Sequence, residues 1–336
     1  MSSNIKTLII FDTNMLRSTD GGEVAYSSFS FGTAYNSIDR FIKENKLEND
    51  VTLAVSTMVI SELKIQKQRQ YNKDIQDLKN IVKRLTGLPH IVDGSMQIPD
   101  ENFDCAAYIE QQAQNYIQTK NINTLEYRDE HAPSMLKNML LKVVGHDNGK
   151  SPFARSGKFN DAGFKDSVIW ETLMHYDKVQ DYDKVIFLSK DGDYKENCVE
   201  EFNTKWQRHI AIEKDENKAK DQLNKDYENY IAFRHYFEYA EKEYFQTYLN
   251  RAIEDRTFLQ VDGEDLNIER YKIVNYCVQV ENKISEETQE EEFIIHSKVI
   301  VEIARDGNKE DIPINVQVLM DEVFEIYDIT FEPEIY

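Results

Sequence analysis

The sequence predicts an α/β fold: a doubly wound, mainly parallel sheet, then a long helix and a small antiparallel, β-rich C-terminal domain. Three observations carry this. Short apolar runs without alternation, the pattern of strands buried on both faces, occur at Lys6 to Phe11, Val51 to Val55 and Lys184 to Leu188. Helical patterns separate them. Beyond about residue 256 the pattern changes to strand-like alternation with no helical stretch between the runs. A chain of 336 residues is long enough for one large domain and one smaller one, each with its own core.

Element by element, KTLIIF (residues 6 to 11) reads as the first buried strand, and Asp12-Thr13-Asn14 opens the loop at its carboxyl end. Val51 to Val55 is the second strand. Ser56 and Thr57 are N-cap candidates for the helix that follows it toward Leu85. His90 to Val92 is a short third strand, followed by helices from about Glu101 to Lys120 and Ser134 to Val144. Gly145 to Gly163 is the longest turn-rich loop in the chain, as functional loops often are. A helix begins at Phe164. KVIFL (184 to 188) is the fourth strand, and His209 to Ile212 the fifth. Lys214 to Asp255 reads as one long charged and aromatic helix. Thr257 to Val261, Tyr271 to Val280, Glu292 to Ile303 and Ile312 to Ile329 read as the strands of the antiparallel sheet. The expected domains are residues 1–215, a helical connector 216–255, and an acidic β-rich domain 256–336.

The formal net charge is −21, and residues 201–336 carry 32 acidic against 16 basic side chains. An acidic chain repels polyphosphate at long range, so nucleic-acid affinity needs a local basic patch or a bound cation. One patch lies between Ala132 and Trp170, where Lys137, Lys142, Lys150, Arg155, Lys158 and Lys165 outnumber Asp147, Asp161 and Asp166. No apolar run reaches the length of a membrane span, and the N-terminal segment does not read as a secretory signal, so a cytoplasmic protein is expected. Cys105, Cys198 and Cys277 are odd in number and widely spaced, which fits buried thiols better than disulfides or a zinc site. The aromatic stripe Tyr230, Phe233, Tyr236, Phe237, Tyr239, Tyr244, Phe245 and Tyr248 is interleaved with Glu238, Glu241 and Glu243. It reads as packing against the first domain or a second subunit rather than as a base-stacking platform.

Chemistry concentrates in the acids. Asp12 follows the first strand, Asp191 and Asp193 the fourth; Glu62 sits early in the helix after the second, and Asp166 begins the helix after the basic loop. Such sheets place their sites at the carboxyl ends of strands. Gathered carboxylates repel one another, and a bound divalent cation removes that cost. Oxygen ligands without His or Cys pairs suit Mg²⁺ or Mn²⁺ rather than zinc.

The pieces IIFDTN (9 to 14), STMVISEL (56 to 63), GFKDSVIWETL (163 to 173) and FLSKDGDY (187 to 194) recur in the order found in PIN-domain nucleases. The chain resembles that family over about residues 1 to 215, in particular its larger bacterial type with a GFKD-x-x-I-W helix. The resemblance implies a Rossmann-like, PIN-like sheet and metal-dependent endonucleolytic hydrolysis of phosphodiesters, most often in single-stranded RNA; RNA against DNA is left open. It implies Asp12, Glu62, Asp166 and Asp191 as ligands of Mg²⁺ or Mn²⁺, with Asp193 a further catalytic acid ranked below Asp191. Asn14 and Ser189 match polar positions that orient ligands or the attacking water. Arg155, Lys158 and Lys165 are candidates for holding substrate phosphates, Lys165 equally for pairing with a neighbouring acid; Asp161 reads as solvated. A protein partner or self-association through residues 256–336 is left open. So is the setting, whether toxin, phage defence or RNA turnover. Two rivals stand beside this reading: a non-catalytic PIN-like binding module, and a haloacid-dehalogenase-like phosphatase, which needs a second Asp where this chain has Asn14.

Overall fold

The computed structural model describes residues 5–86, 102–144, 163–261, 263–285, 289–305, 308–333 and 335. The chain divides into two compact units, Ile5–Asp221 and Gln222–Tyr336.

In the first unit, β1 (Thr7–Phe11), β4 (Val51–Ser56), β5 (Asn123–Leu125), β6 (Lys184–Leu188) and β7 (His209–Glu213) form a sheet in the order β5-β4-β1-β6-β7. All four pairings are parallel. Every residue of β1 is buried, as its unbroken apolar run requires of a central strand. The strand sequence runs outward from β1 through β4 to β5, then returns to β6 on the other side of β1. The order therefore reverses at β1, and the carboxyl ends of β1 and β6 flank the crevice such a reversal opens. A small hairpin, β2 (Thr19–Asp20) and β3 (Glu23–Val24), projects after α1 (Thr13–Leu16).

The connections are helical: α2 (Thr33–Glu44), α3 (Thr57–Leu85), α4 (Cys105–Thr119), α5 (Ala132–Val144), α6 (Phe164–Met174) and α7 (Glu196–Trp206). Ser56 Oγ accepts from the Met58 amide at 3.2 Å and so caps α3, as its sequence suggests. Asp104 Oδ1 does the same for α4, accepting from the Ala107 amide at 2.9 Å. Helices α2 and α7 fill stretches to which the sequence reading assigns no element. β5 is likewise an addition to that reading; it is only three residues long at the sheet edge. The strand expected at His90 to Val92 and the loop Gly145 to Ala162 lie outside the described residues. The three cysteines form no disulfide and are buried.

One expected basic residue is not on a surface patch. Lys142 of α5 is buried, its Nζ 2.8 Å from Glu171 of α6 and 3.0 Å from Glu201 of α7. Its charge is neutralised internally, because the helical face that carries Lys142 is the one α5 turns inward.

The second unit is an antiparallel meander, β8 (Phe258–Val261), β9 (Glu264–Ile284), β10 (Glu291–Arg305), β11 (Asn308–Met320) and β12 (Ile326–Glu332), with neighbours in chain order. The single strand expected at Ile312 to Ile329 is in fact two. Asp321 Oδ1 accepts from the amides of Val323 at 3.0 Å and Glu325 at 2.7 Å, folding a reversal that no glycine or proline announces. The long helix expected at Lys214 to Asp255 is three: α8 (Glu216–Asp226), α9 (Glu228–Ala240) and α10 (Glu243–Glu254). Tyr236, Phe237, Tyr239, Phe245, Leu249 and Ile253 join Cys277, Val280, Ile295, Val299, Val316 and Val318 in one core. Seven of the eight aromatics of the stripe therefore pack in or against the core of the C-terminal sheet, where the sequence reading looks to the first domain or a second subunit; Tyr244 is 69% exposed. Two short helices present their apolar stripes to a sheet face that one straight helix would cross only once.

Candidate functional site

Asp12 is the residue after β1, and its amide donates to the Leu188 carbonyl at the end of β6. This pairing brings the carboxyl ends of two central strands together, so Asp12 and Ser189 face each other. Asp12 is 3% exposed, and all three donors that hold it come from the two strand ends. Its Oδ1 accepts from the Thr13 amide at 2.7 Å; its Oδ2 accepts from Ser189 Oγ at 2.6 Å and Asn14 Nδ2 at 2.8 Å.

Asn14 and Ser189 are themselves held. The Lys190 amide donates to Asn14 Oδ1 at 3.0 Å, which fixes the amide so that its nitrogen faces Asp12. The Asp191 amide donates to Ser189 Oγ at 3.0 Å, leaving the single hydroxyl proton for Asp12. In the same loop the Asp193 amide donates to Asp191 Oδ1 at 2.9 Å. This turn brings Asp191 and Asp193 to one place.

Asp166 completes the group. Gly163, with φ of +80°, turns the chain into α6 and puts Asp166 in its first turn. Tyr194, 5% exposed, donates its hydroxyl to the Asp166 carbonyl at 3.2 Å, and its ring lies 4.7 Å from that of Phe187. One carboxylate oxygen from each of Asp166, Asp191 and Asp193 lies within 4.8 Å of the other two. Asp12 and Glu62 are not members of this trio, yet both belong to its surroundings: Glu62 and Asp191 each repel the charge on Asp12. Glu62, on the second turn of α3, accepts from Thr13 Oγ1 at 2.7 Å and Gln66 Nε2 at 3.3 Å, and pairs with Lys165 Nζ at 3.5 Å.

The electrostatics follow from burial. Removal from water, with the added charges of Glu62 and Asp191, lifts the Asp12 carboxyl to about 6 despite the hydrogen bonds from Ser189 and Thr13. Burial first and Asp191 second also raise Asp193. Burial pushes the Tyr194 phenol well above its ordinary range, with Asp12, Asp166 and Asp191 adding to the effect. The trio is made of oxygen donors alone, without thiolate or imidazole, and carboxylates crowded in this way repel one another until a cation joins them. That donor chemistry fits a hard divalent ion such as Mg²⁺ or Mn²⁺.

Of the residues singled out from sequence, the structure brings Asp166, Asp191 and Asp193 together and binds Asp12, Asn14 and Ser189 into one hydrogen-bonded cluster. Lys165 pairs with Glu62, and Asn14 donates to Asp12. Arg155, Lys158 and Asp161 lie outside the described residues. Sequence reasoning does not single out Thr13, Gln66, Arg17 or Tyr194. For Gln66 the spacing of four from Glu62 on a helix is a usable signal; for the others the partner is remote in sequence.

No helix among the described residues is long and apolar enough to cross a membrane. No curated protein and no solved structure matches the chain. A family model for the PIN domain matches residues 9–194, more than half of the chain, from Ile9 within β1 through Tyr194, and takes in every acid of the site. The chain belongs to the PIN-domain family.

Proposed function

We propose that this protein is a metal-dependent endonuclease of the larger bacterial PIN-like type, hydrolysing phosphodiester bonds in single-stranded RNA. PIN domains are generally nucleases, and PIN nucleases usually use divalent metals. The observation that carries the reading is the convergence of Asp166 with Asp191 and Asp193 beside the buried Asp12. These acids come from one helix start and two strand ends far apart in sequence.

Asp12, Glu62, Asp166 and Asp191 would hold Mg²⁺ or Mn²⁺, with Asp193 beside Asp191. When bound, the cation supplies an activated water and offsets the charge that develops on the phosphate. The chain's own residues do the rest. Ser189 and Asn14 hold the Asp12 carboxylate in one orientation, so little rearrangement remains when the phosphate arrives. Lys165, on the half-exposed rim beside Glu62, is a fixed positive charge for a neighbouring phosphate in an otherwise acidic pocket. Asn14 disfavours the phosphatase rival: where that chemistry needs a second acid, this chain has an amide donating to Asp12.

The test is incubation of wild type and Asp166→Asn with end-labelled single-stranded RNA and DNA, with Mn²⁺ or with EDTA. Internal cleavage by the wild type in Mn²⁺, abolished by EDTA and at least about 100-fold slower in the variant, is the expected result. Equal rates for the two proteins, or no metal-dependent cleavage of either nucleic acid, would remove the assignment.

A further inference from the structure

Glu62 differs from the other acids of the site. It projects from the second turn of a helix rather than from a strand end or a helix start, it has one more rotatable bond than an aspartate, and its side chain is 18% exposed. A carboxylate so placed loses rotamer freedom to reach a fixed position, and something has to hold it there. The structure provides a clamp from two elements. Thr13, the first residue of α1, donates its hydroxyl to Oε2 at 2.7 Å, and Gln66, one turn further along α3, donates Nε2 to Oε1 at 3.3 Å.

The orientation of the Gln66 amide is not arbitrary. Arg17 Nε donates to Gln66 Oε1 at 3.0 Å. A guanidinium has no acceptor, so Arg17 selects the amide rotamer that presents oxygen to itself and nitrogen to Glu62. Thr13 has a second connection: its backbone amide donates to Asp12 Oδ1 at 2.7 Å. One residue therefore holds two mutually repelling carboxylates, Asp12 through its main chain and Glu62 through its side chain.

We propose that Thr13 and Gln66 are positioning residues that set the Glu62 carboxylate for cation binding, with Arg17 orienting Gln66. The inference rests on the reading of this site as a metal centre that includes Glu62. A merely structural role for Thr13, which is 5% exposed, is the competing explanation, and the two differ in which substitution matters. Thr13→Val keeps the shape and removes the donor; Thr13→Ser keeps the donor and removes a methyl group. If the hydroxyl positions Glu62, the serine variant retains function and the valine variant loses it. If packing is what counts, the order reverses.

The experiment measures Mn²⁺ affinity of the full chain by electron paramagnetic resonance, alongside kcat and KM on labelled RNA and the Tm of each variant. Thr13→Val and Gln66→Leu should bind Mn²⁺ about tenfold more weakly than wild type, as loss of a ligand's hydrogen-bond partner does elsewhere. KM for RNA should stay within about twofold, and Thr13→Ser should match wild type in Mn²⁺ affinity. Gln66 is only half-buried, so Gln66→Leu decides the matter if Thr13→Val does not fold. Wild-type Mn²⁺ affinity in Gln66→Leu and Thr13→Val, or equal losses in Thr13→Ser and Thr13→Val, would overturn the proposal. A wild type that binds Mn²⁺ without cleaving RNA or DNA would reject the nuclease reading while the affinity series still decides this one. A wild type that binds no Mn²⁺ overturns both.

Discussion

Asp12 concentrates the cost of the site in one side chain. Its carboxyl is lifted from 3.8 to about 6, so between those values the folded protein carries a proton that the unfolded chain has released. The low-pH stability of the metal-free protein is therefore lost as pH rises through about 6, by up to about 3 kcal/mol from this group. Asp12→Asn cannot titrate. In EDTA, the stability difference between Asp12→Asn and wild type should move in favour of the variant from pH 4 to pH 7, measured by chemical denaturation at each pH. A pH-independent difference would show that burial does not raise this carboxyl. Asp12, Asp166, Asp191 and Asp193 were legible in the sequence because each follows an apolar strand or opens a helix, positions that periodicity reveals, whereas Glu62, one turn into α3, stood out only through the resemblance to PIN-domain nucleases. Thr13, Arg17 and Tyr194 were not legible, since their roles depend on partners that only folding brings near: Thr13 and Glu62 are 49 residues apart; for Gln66 the helical spacing of four from Glu62 is the one signal.

Among the elements, α5, α6 and α7 are tied by a buried charge cluster. Lys142 pairs with Glu171 and Glu201; Asn138 Nδ2 donates to Glu171 Oε2 at 3.0 Å, and Trp170 Nε1 to Glu201 Oε2 at 2.9 Å. Removing one partner of such a pair leaves an uncompensated buried charge, so Lys142→Met should cost about 3–5 kcal/mol in urea unfolding. The double variant Lys142→Met with Glu171→Leu should recover much of that loss. A loss below about 1 kcal/mol in the single variant would contradict the burial of the pair. A second close approach lies where α2 begins: a Cβ on Gly32 would stand 2.4 Å from the Arg17 carbonyl. Gly32→Ala should therefore destabilise by about 1–3 kcal/mol, read in the same assay. Four of the five parallel strands of the first sheet, and the starts of α3 and α6, were readable from apolar runs, a cap and a turn-rich loop; β5, α2 and α7 were not. The inward direction of Lys142 was not, because counting charge along a chain says nothing about which face a helix turns to its neighbours. Nor was the split of the residues after 213 into three helices, whose breaks at Tyr227 and Lys242 carry no glycine or proline.

At the scale of the whole molecule, the chain carries two cores. The acids of the site all belong to the unit Ile5–Asp221, while Gln222–Tyr336 buries its own aromatic and aliphatic core between α9, α10 and the meander. Calorimetry of the full chain should resolve two transitions, with Mn²⁺ raising the one that belongs to the first unit and leaving the other in place, by mass action on the unit that binds. A single transition shifted as a whole would contradict independent cores. The antiparallel character of the second unit was plain from alternation. What covers its inner face was not, because an aromatic stripe on a helix does not say which surface it meets.

Metal-dependent cleavage at this site requires the acids to share one cation, and crystals grown with Mn²⁺ test that most directly. Anomalous diffraction should show a peak about 2.0–2.6 Å from carboxylate oxygens of Asp166 and Asp191, on the side of the pocket that Asp12 lines. Crystals diffracting well at saturating Mn²⁺ with no peak among these carboxylates, or with Mn²⁺ bound elsewhere on the chain alone, would contradict it.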